Sequence, residues 1–125
     1  MTILVDLKQY LVSNSLASSS EIAFNYYDKN NSYVVLSLYG GSVAPRGALS
    51  KISYVQVKVL DLNMQTVQTK IDNIYNSFIT ADRFKTLNSH NSNIYPFQPP
   101  FYIGKDDQGR HAYAFNMSIV SGRNS

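Results

Sequence analysis

The sequence predicts an α+β fold: a mainly antiparallel sheet with two helices packed on one face. Two stripes of apolar residues at helical spacing and three stretches of two-residue alternation predict it. Their order along the chain is helix, strands, helix, strands, which favours α+β over a regular alternation of strand and helix. The chain has 125 residues, 44% of them hydrophobic. Residues 1–125 therefore read as one domain, with apolar side chains for one core.

Each element has its own signal. Residues 3–14, ILVDLKQYLVSN, place Ile3, Leu4, Leu7, Leu11 and Val12 on one side, with Asp6, Lys8 and Gln9 elsewhere, as in a short amphipathic helix. SLASSS then reads as a loop, EIAFNYY at 21–27 as a first strand, and DKNNS as a turn. In YVVLSLYGG, Val34, Leu36 and Leu38 alternate inward against Val35, Ser37 and Tyr39, and the Gly40–Gly41 pair is expected to close the strand. Residues 51–61, KISYVQVKVLD, alternate cleanly: Val55, Val57 and Val59 on one face, Tyr54, Gln56 and Lys58 on the other. Asn63 is a good N-cap for a helix whose stripe is Met64, Val67, Ile71, Ile74, Tyr75 and Phe78. The polar stretch 81–99 reads as a long loop with a short strand near Thr86–Leu87. FYIG, the turn KDDQGR and HAYAFNMSIV form a closing hairpin, with His111, Tyr113, Phe115, Met117 and Ile119 on one face.

Composition excludes several functions. The chain has no cysteine, which removes disulfides, thiolate metal sites and thiol nucleophiles. No apolar run is long enough for a membrane span, and Asp6 and Lys8 interrupt the N-terminal apolar run, unlike a signal peptide. The expectation is a soluble, unsecreted protein with no membrane partner. The net charge of +3 comes from scattered Lys and Arg, without the basic stripe of a free nucleic-acid binder. Ten Tyr and many Asn and Ser, with only 15% charged residues, suit a protein that buries surface against partners. A Tyr-rich β protein explains them equally well.

The densest cluster of chemistry-bearing residues is PPFYIGKDDQGRHAYAF, 99–115. An acid–base site would need Asp106, Asp107 and His111 to converge on a cleft. Asp106, Asp107 and Gly109 instead sit where a hairpin turn wants them, since Asp tolerates turn geometry and Gly supplies positive φ. His90 lies apart in the polar stretch, and no His or carboxylate pair has a metal-ligand spacing. YGGSVAPRG lacks the Gly-Lys-Ser/Thr ending of a phosphate loop, and no Ser stands in a nucleophile elbow. Nothing here calls for an enzyme or a cofactor.

The ordered set of motifs resembles the tail terminator, or minor capsid, proteins of long-tailed bacteriophages. It comprises VVLSLYGG, then YVQVKVL running into TVQTKIDNIYNSF, then PPFYIGKDDQGRHAYAFNMSI. The resemblance implies a virion assembly protein whose copies form a ring, typically a hexamer, that caps the tail tube. Such a ring stops polymerisation of the tube protein and offers a surface to a head-completion or neck protein. DNA passes through its lumen without specific binding, and a weakly charged chain is compatible with that. The expected location is the virion tail at the head–tail interface, after assembly in the host cytoplasm.

The expected contacts with other subunits or partners are the loop 42–50, through Arg46, and the hairpin tip 105–110, through Lys105, Asp106, Asp107 and Arg110. A head-completion or neck connector is a close alternative. A small nucleic-acid-binding module is a further one, with Tyr54, Tyr102 and Tyr113 stacking bases on an exposed sheet face.

Overall fold

The computed structural model describes residues 3–25, 34–43, 50–79, 84–87 and 90–122. Helix α1 (Ile3–Ser13) leads through a 3₁₀ turn (Ser19–Glu21) to strands β1 (Ile22–Phe24), β2 (Val34–Val43) and β3 (Ser50–Asp61). Helix α2 (Met64–Phe78) follows, then β4 (Phe84–Leu87), β5 (His90–Pro96), β6 (Phe101–Lys105) and β7 (His111–Gly122). The strands form one sheet in the order β1-β2-β3-β7-β5-β4, with β6 also paired to β7. Every pairing is antiparallel except β1 on β2. The α+β architecture is as the sequence predicts.

Strand β7 organises this sheet. One of its edges pairs with β3 along the whole strand, from His111 opposite Asp61 to Gly122 opposite Ser50. Its other edge is shared end to end: β6 covers 111–114, and β5 covers 117–121. The chain bridges these two partners through Phe97–Pro100, with Phe97 N–H donating to the Asn116 carbonyl at 3.1 Å.

Both helices fill one core on one sheet face. Leu4, Leu7 and Leu11 of α1 and Val67, Ile71, Ile74 and Phe78 of α2 meet Val34, Leu36, Val55, Val57, Val59, Phe115, Met117 and Ile119. Full burial of such a side chain contributes roughly 1.5–3 kcal/mol. Phe78 anchors the layer: Tyr10 stacks on it at 5.0 Å between ring centroids, and Phe115 lies tilted at 6.5 Å. Helix α2 starts where expected, with Asn63 Oδ1 accepting from Thr66 N–H at 3.0 Å. Helix α1 is closed off just after Ser13 by Ser15, whose φ of 57° turns the chain so that Leu16 N–H reaches the Leu11 carbonyl at 2.9 Å. Neither helix is long and apolar enough to cross a membrane.

Four local expectations need correction. The stretch 81–99 holds the short strand expected near Thr86–Leu87, as β4, but also a second strand, β5, paired to it where a loop was expected. Its polar sequence hid β5, which sends Ile94 into the core but otherwise lacks a run of apolar residues. Strand β2 does not close at Gly40–Gly41 but continues to Val43, with a bulge between Leu38 and Gly40. Ahead of the bulge the alternation holds, yet Leu38, opposite Val55, is exposed, while Val35, expected outside, is buried with Leu60 and Ala112 in a small cluster. Finally, Asp6 of α1 is buried, and Val12, expected on the apolar stripe, is exposed.

Candidate functional site

The β6–β7 hairpin carries most of the residues that could serve a function. Its tip is locked from inside. Asp106 N–H donates to the Arg110 carbonyl, and Gly109 N–H donates to the Asp106 carbonyl, both at 3.0 Å. Asp106 Oδ1 accepts from the backbone N–H of Gln108 and of Arg110, both at 2.9 Å. Its Oδ2 accepts from Arg110 Nε at 2.8 Å, with Nη2 at the same distance. Gly109, at φ 77°, supplies the left-handed turn the sequence predicts.

Electrostatics follows from this geometry. Partial burial acts to raise the Asp106 pKa, but the hydrogen bonds from the Arg110 backbone and guanidinium and from Gln108 outweigh it. The carboxyl is therefore held below its usual range. Side-chain exposure is only 4% for Arg110 and 7% for Asp106. The Asp106–Arg110 pair is therefore nearly shielded from solvent. Lys105 and Asp107 are exposed beside them, and Arg46 lies outside the described residues.

The histidine is also accounted for. His111 Nδ1 lies 3.1 Å from the Tyr102 hydroxyl, and the Tyr102 ring sits 5.2 Å from that of Tyr113. Gln68 of α2 donates to the Tyr113 hydroxyl at 2.9 Å. This network ties the hairpin to the helix layer. It does not bring Asp106, bound to Arg110, and His111 to a shared cleft. No group of three or more His, Cys, Asp or Glu among the described residues could hold a metal ion.

The three tyrosines of the base-stacking alternative are divided between faces. Tyr102 pairs with Tyr113, and Tyr113 lies opposite Val59 on the helix side. Tyr54, one residue before the core residue Val55, points to the other face and sits 6.1 Å from Tyr39. Three rings on opposite sides of a sheet cannot form one stacking platform.

Sequence reasoning missed the surface next to the hairpin tip. Tyr95, Phe97, Phe101, Tyr102 and Ile103 are all exposed large apolar side chains, Phe97 at 55%. Phe101, Tyr102 and Ile103 are consecutive, so both faces of β6 are apolar where a half-buried strand would alternate. FYI was the available signal. The strand bulges between Tyr102 and Gly104, and Gly104 adopts φ 132°, a conformation that L side chains rarely take.

An open cleft of about 940 Å³ lies between the segment after α1 and the first half of α2. Ser18, Glu21, Asn63, Thr66, Lys70 and Asn73 are among its lining residues. Glu21 and Lys70 form an ion pair there, and Ser18 and Glu21 form a capping box. These polar groups bond to one another and offer no acid–base pair free for catalysis.

The α+β domain pairs Asp106 with Arg110 inside its hairpin and exposes Phe101, Tyr102 and Ile103 on strand β6, features that suit a protein acting through contacts rather than through an acid–base site. A family model for bacteriophage tail terminator proteins matches residues 10–121, so the chain belongs to that family. No curated protein matches it. Family membership makes the protein a structural, non-enzymatic component of the virion tail, associated with the tail tube whose growth it terminates.

Proposed function

We propose that this chain acts as one domain in a ring, with six copies as the expected number. The ring caps the tail tube at its final length and blocks addition of further tube subunits. Its opposite side receives a head-completion or neck protein, and DNA crosses the lumen without specific contacts.

One observation supports assembly over a free-standing monomer. Of the eleven large hydrophobic side chains exposed among the described residues, five lie between Tyr95 and Ile103. Apolar side chains gathered in this way mark a surface that is covered in the working state. Lys105 and Asp107 border the patch and supply the polar rim that an assembly contact has.

Electron microscopy of the purified protein tests this reading. Rings of one size, with a central opening and a constant number of subunits, are the expected result. A protein that stays monomeric at all concentrations, both alone and with tube protein, would contradict it.

A further inference from the structure

We infer that neighbouring copies join by pairing sheet edges: the outer edge of β6 in one copy against β2 beyond Leu38 in the next. The sheet then continues from subunit to subunit. This supplies the subunit contact for the ring proposed above and rests on that reading.

Besides the outer sides of β1 and β4, which end the sheet, two five-residue strand segments have no strand on their outer side among the described residues, and they differ. Among the described strands β6 pairs only with β7. Strand β1 covers one side of β2 only at 34–36, and Asn25 finishes that edge by accepting from Leu38 N–H at 3.0 Å. The rest of β2, from Tyr39 to Val43, has no described strand beside it on that side and is as long as the five-residue β6. An edge strand leaves a row of backbone N–H and C=O groups unpaired within the sheet, a template on which another strand can pair.

Apart from Lys105 at the end of β6, neither edge segment contains a charged residue or proline, although each strand carries a protective bulge. Soluble proteins blunt open edges with Lys, Pro or inward-pointing charges. Here Phe101, Tyr102 and Ile103 are 36%, 45% and 49% exposed, with Lys105 only at the strand end and the prolines before the strand begins. On β2, Leu38 and Tyr39 are 45% and 53% exposed. Each edge strand also carries one bulge, which shortens the run available for pairing and leaves these apolar side chains to supply much of the contact.

Direction and symmetry point to a second copy as the occupant. Strands β2, β3, β7 and β6 are successively antiparallel, so β2 and β6 run in opposite senses. A copy added with the same orientation, displaced along the strands because β6 lies level with the β1-covered start of β2, sets its β2 antiparallel to the first copy's β6, the more stable kind of pairing. Each of these two segments is used once per copy, which is a heterologous contact, the type that closes into rings. A β6-to-β6 contact, or a different protein on β6, would leave the β2 edge without a partner.

The absence of cysteine makes a clean test possible. Two full-length single variants, Ile103→Cys and Tyr39→Cys, are mixed and treated with a short bismaleimide linker that tolerates a small register offset. The expected result is a covalent dimer in the mixture and at least tenfold less in either variant alone. The double variant Phe101→Lys/Ile103→Lys should lose self-association at concentrations where the unsubstituted protein assembles, with its melting temperature unchanged. Equal cross-linking of Ile103→Cys alone would show a β6–β6 contact and overturn the proposal. So would rings that persist in the double-lysine variant while the mixture yields no dimer, and in that case the ring reading itself would survive. Failure of the unsubstituted protein to form rings, alone or with tube protein, would instead remove the ring reading and this contact with it.

Discussion

Asp106 and Arg110 shape the hairpin more than any other pair of residues. The turn chemistry was legible: two aspartates and a glycine in KDDQGR specify a tight reversal, and Gly109 adopts the positive φ that Gly alone accepts easily. Burial of Arg110 was not legible, because no local pattern says whether a guanidinium faces a partner or its own loop. Substituting Gly109 by Val should cost about 1–3 kcal/mol of stability through backbone strain. Asp107→Asn should leave the melting temperature within the error of a thermal scan, since Asn suits the same exposed turn position. Acid should also test the lock. Asp106 has a lowered pKa in the folded state, so its contribution is complete above the ordinary aspartate value of 3.8 and is lost as pH falls through the lowered one. Asp106→Asn should therefore lower the melting temperature at neutral pH and flatten its decline in acid. Equal acid slopes for the two proteins would show that the carboxylate does not hold the loop.

At the scale of elements, strongly periodic segments were readable and irregular ones were not. Helix α2 carries its stripe at 3.6-residue spacing and its cap at Asn63, so its start, its end and its buried face all follow from sequence. Phe78→Ala should destabilise the protein by about 3–5 kcal/mol, because it empties a site packed between Tyr10 and Phe115. Asn63→Ala should cost about 1 kcal/mol by freeing the Thr66 N–H. Urea titrations give both values, and a Phe78→Ala change under 1 kcal/mol would place that ring outside the core. The short strand expected near Thr86–Leu87 is β4, Phe84–Leu87, but β5 escaped prediction because it pairs with β7, a partner distant in sequence, and shows no alternation of its own. Strand β6 was predicted but its exposure was not, since FYI reads the same whether a strand is buried on both sides or open at an edge.

For the whole molecule, the arrangement leaves a helix-covered core on one side and an apolar outer strand available for assembly. Fold class and family were accessible because the motifs follow one another in a fixed order. The edge proposed here for subunit contact was not accessible, because the pairing of β6 depends on how seven strands share β7 and β3. The central claim is that the folded protein ends tube growth by capping. It is tested most directly by polymerising the phage tail tube protein with increasing amounts of this chain and measuring tube lengths by electron microscopy. The account predicts that mean length falls as the ratio of terminator to tube protein rises, with a ring of density at tube ends and unchanged tube diameter. Tubes whose length does not respond, with bare ends at every ratio, would contradict it.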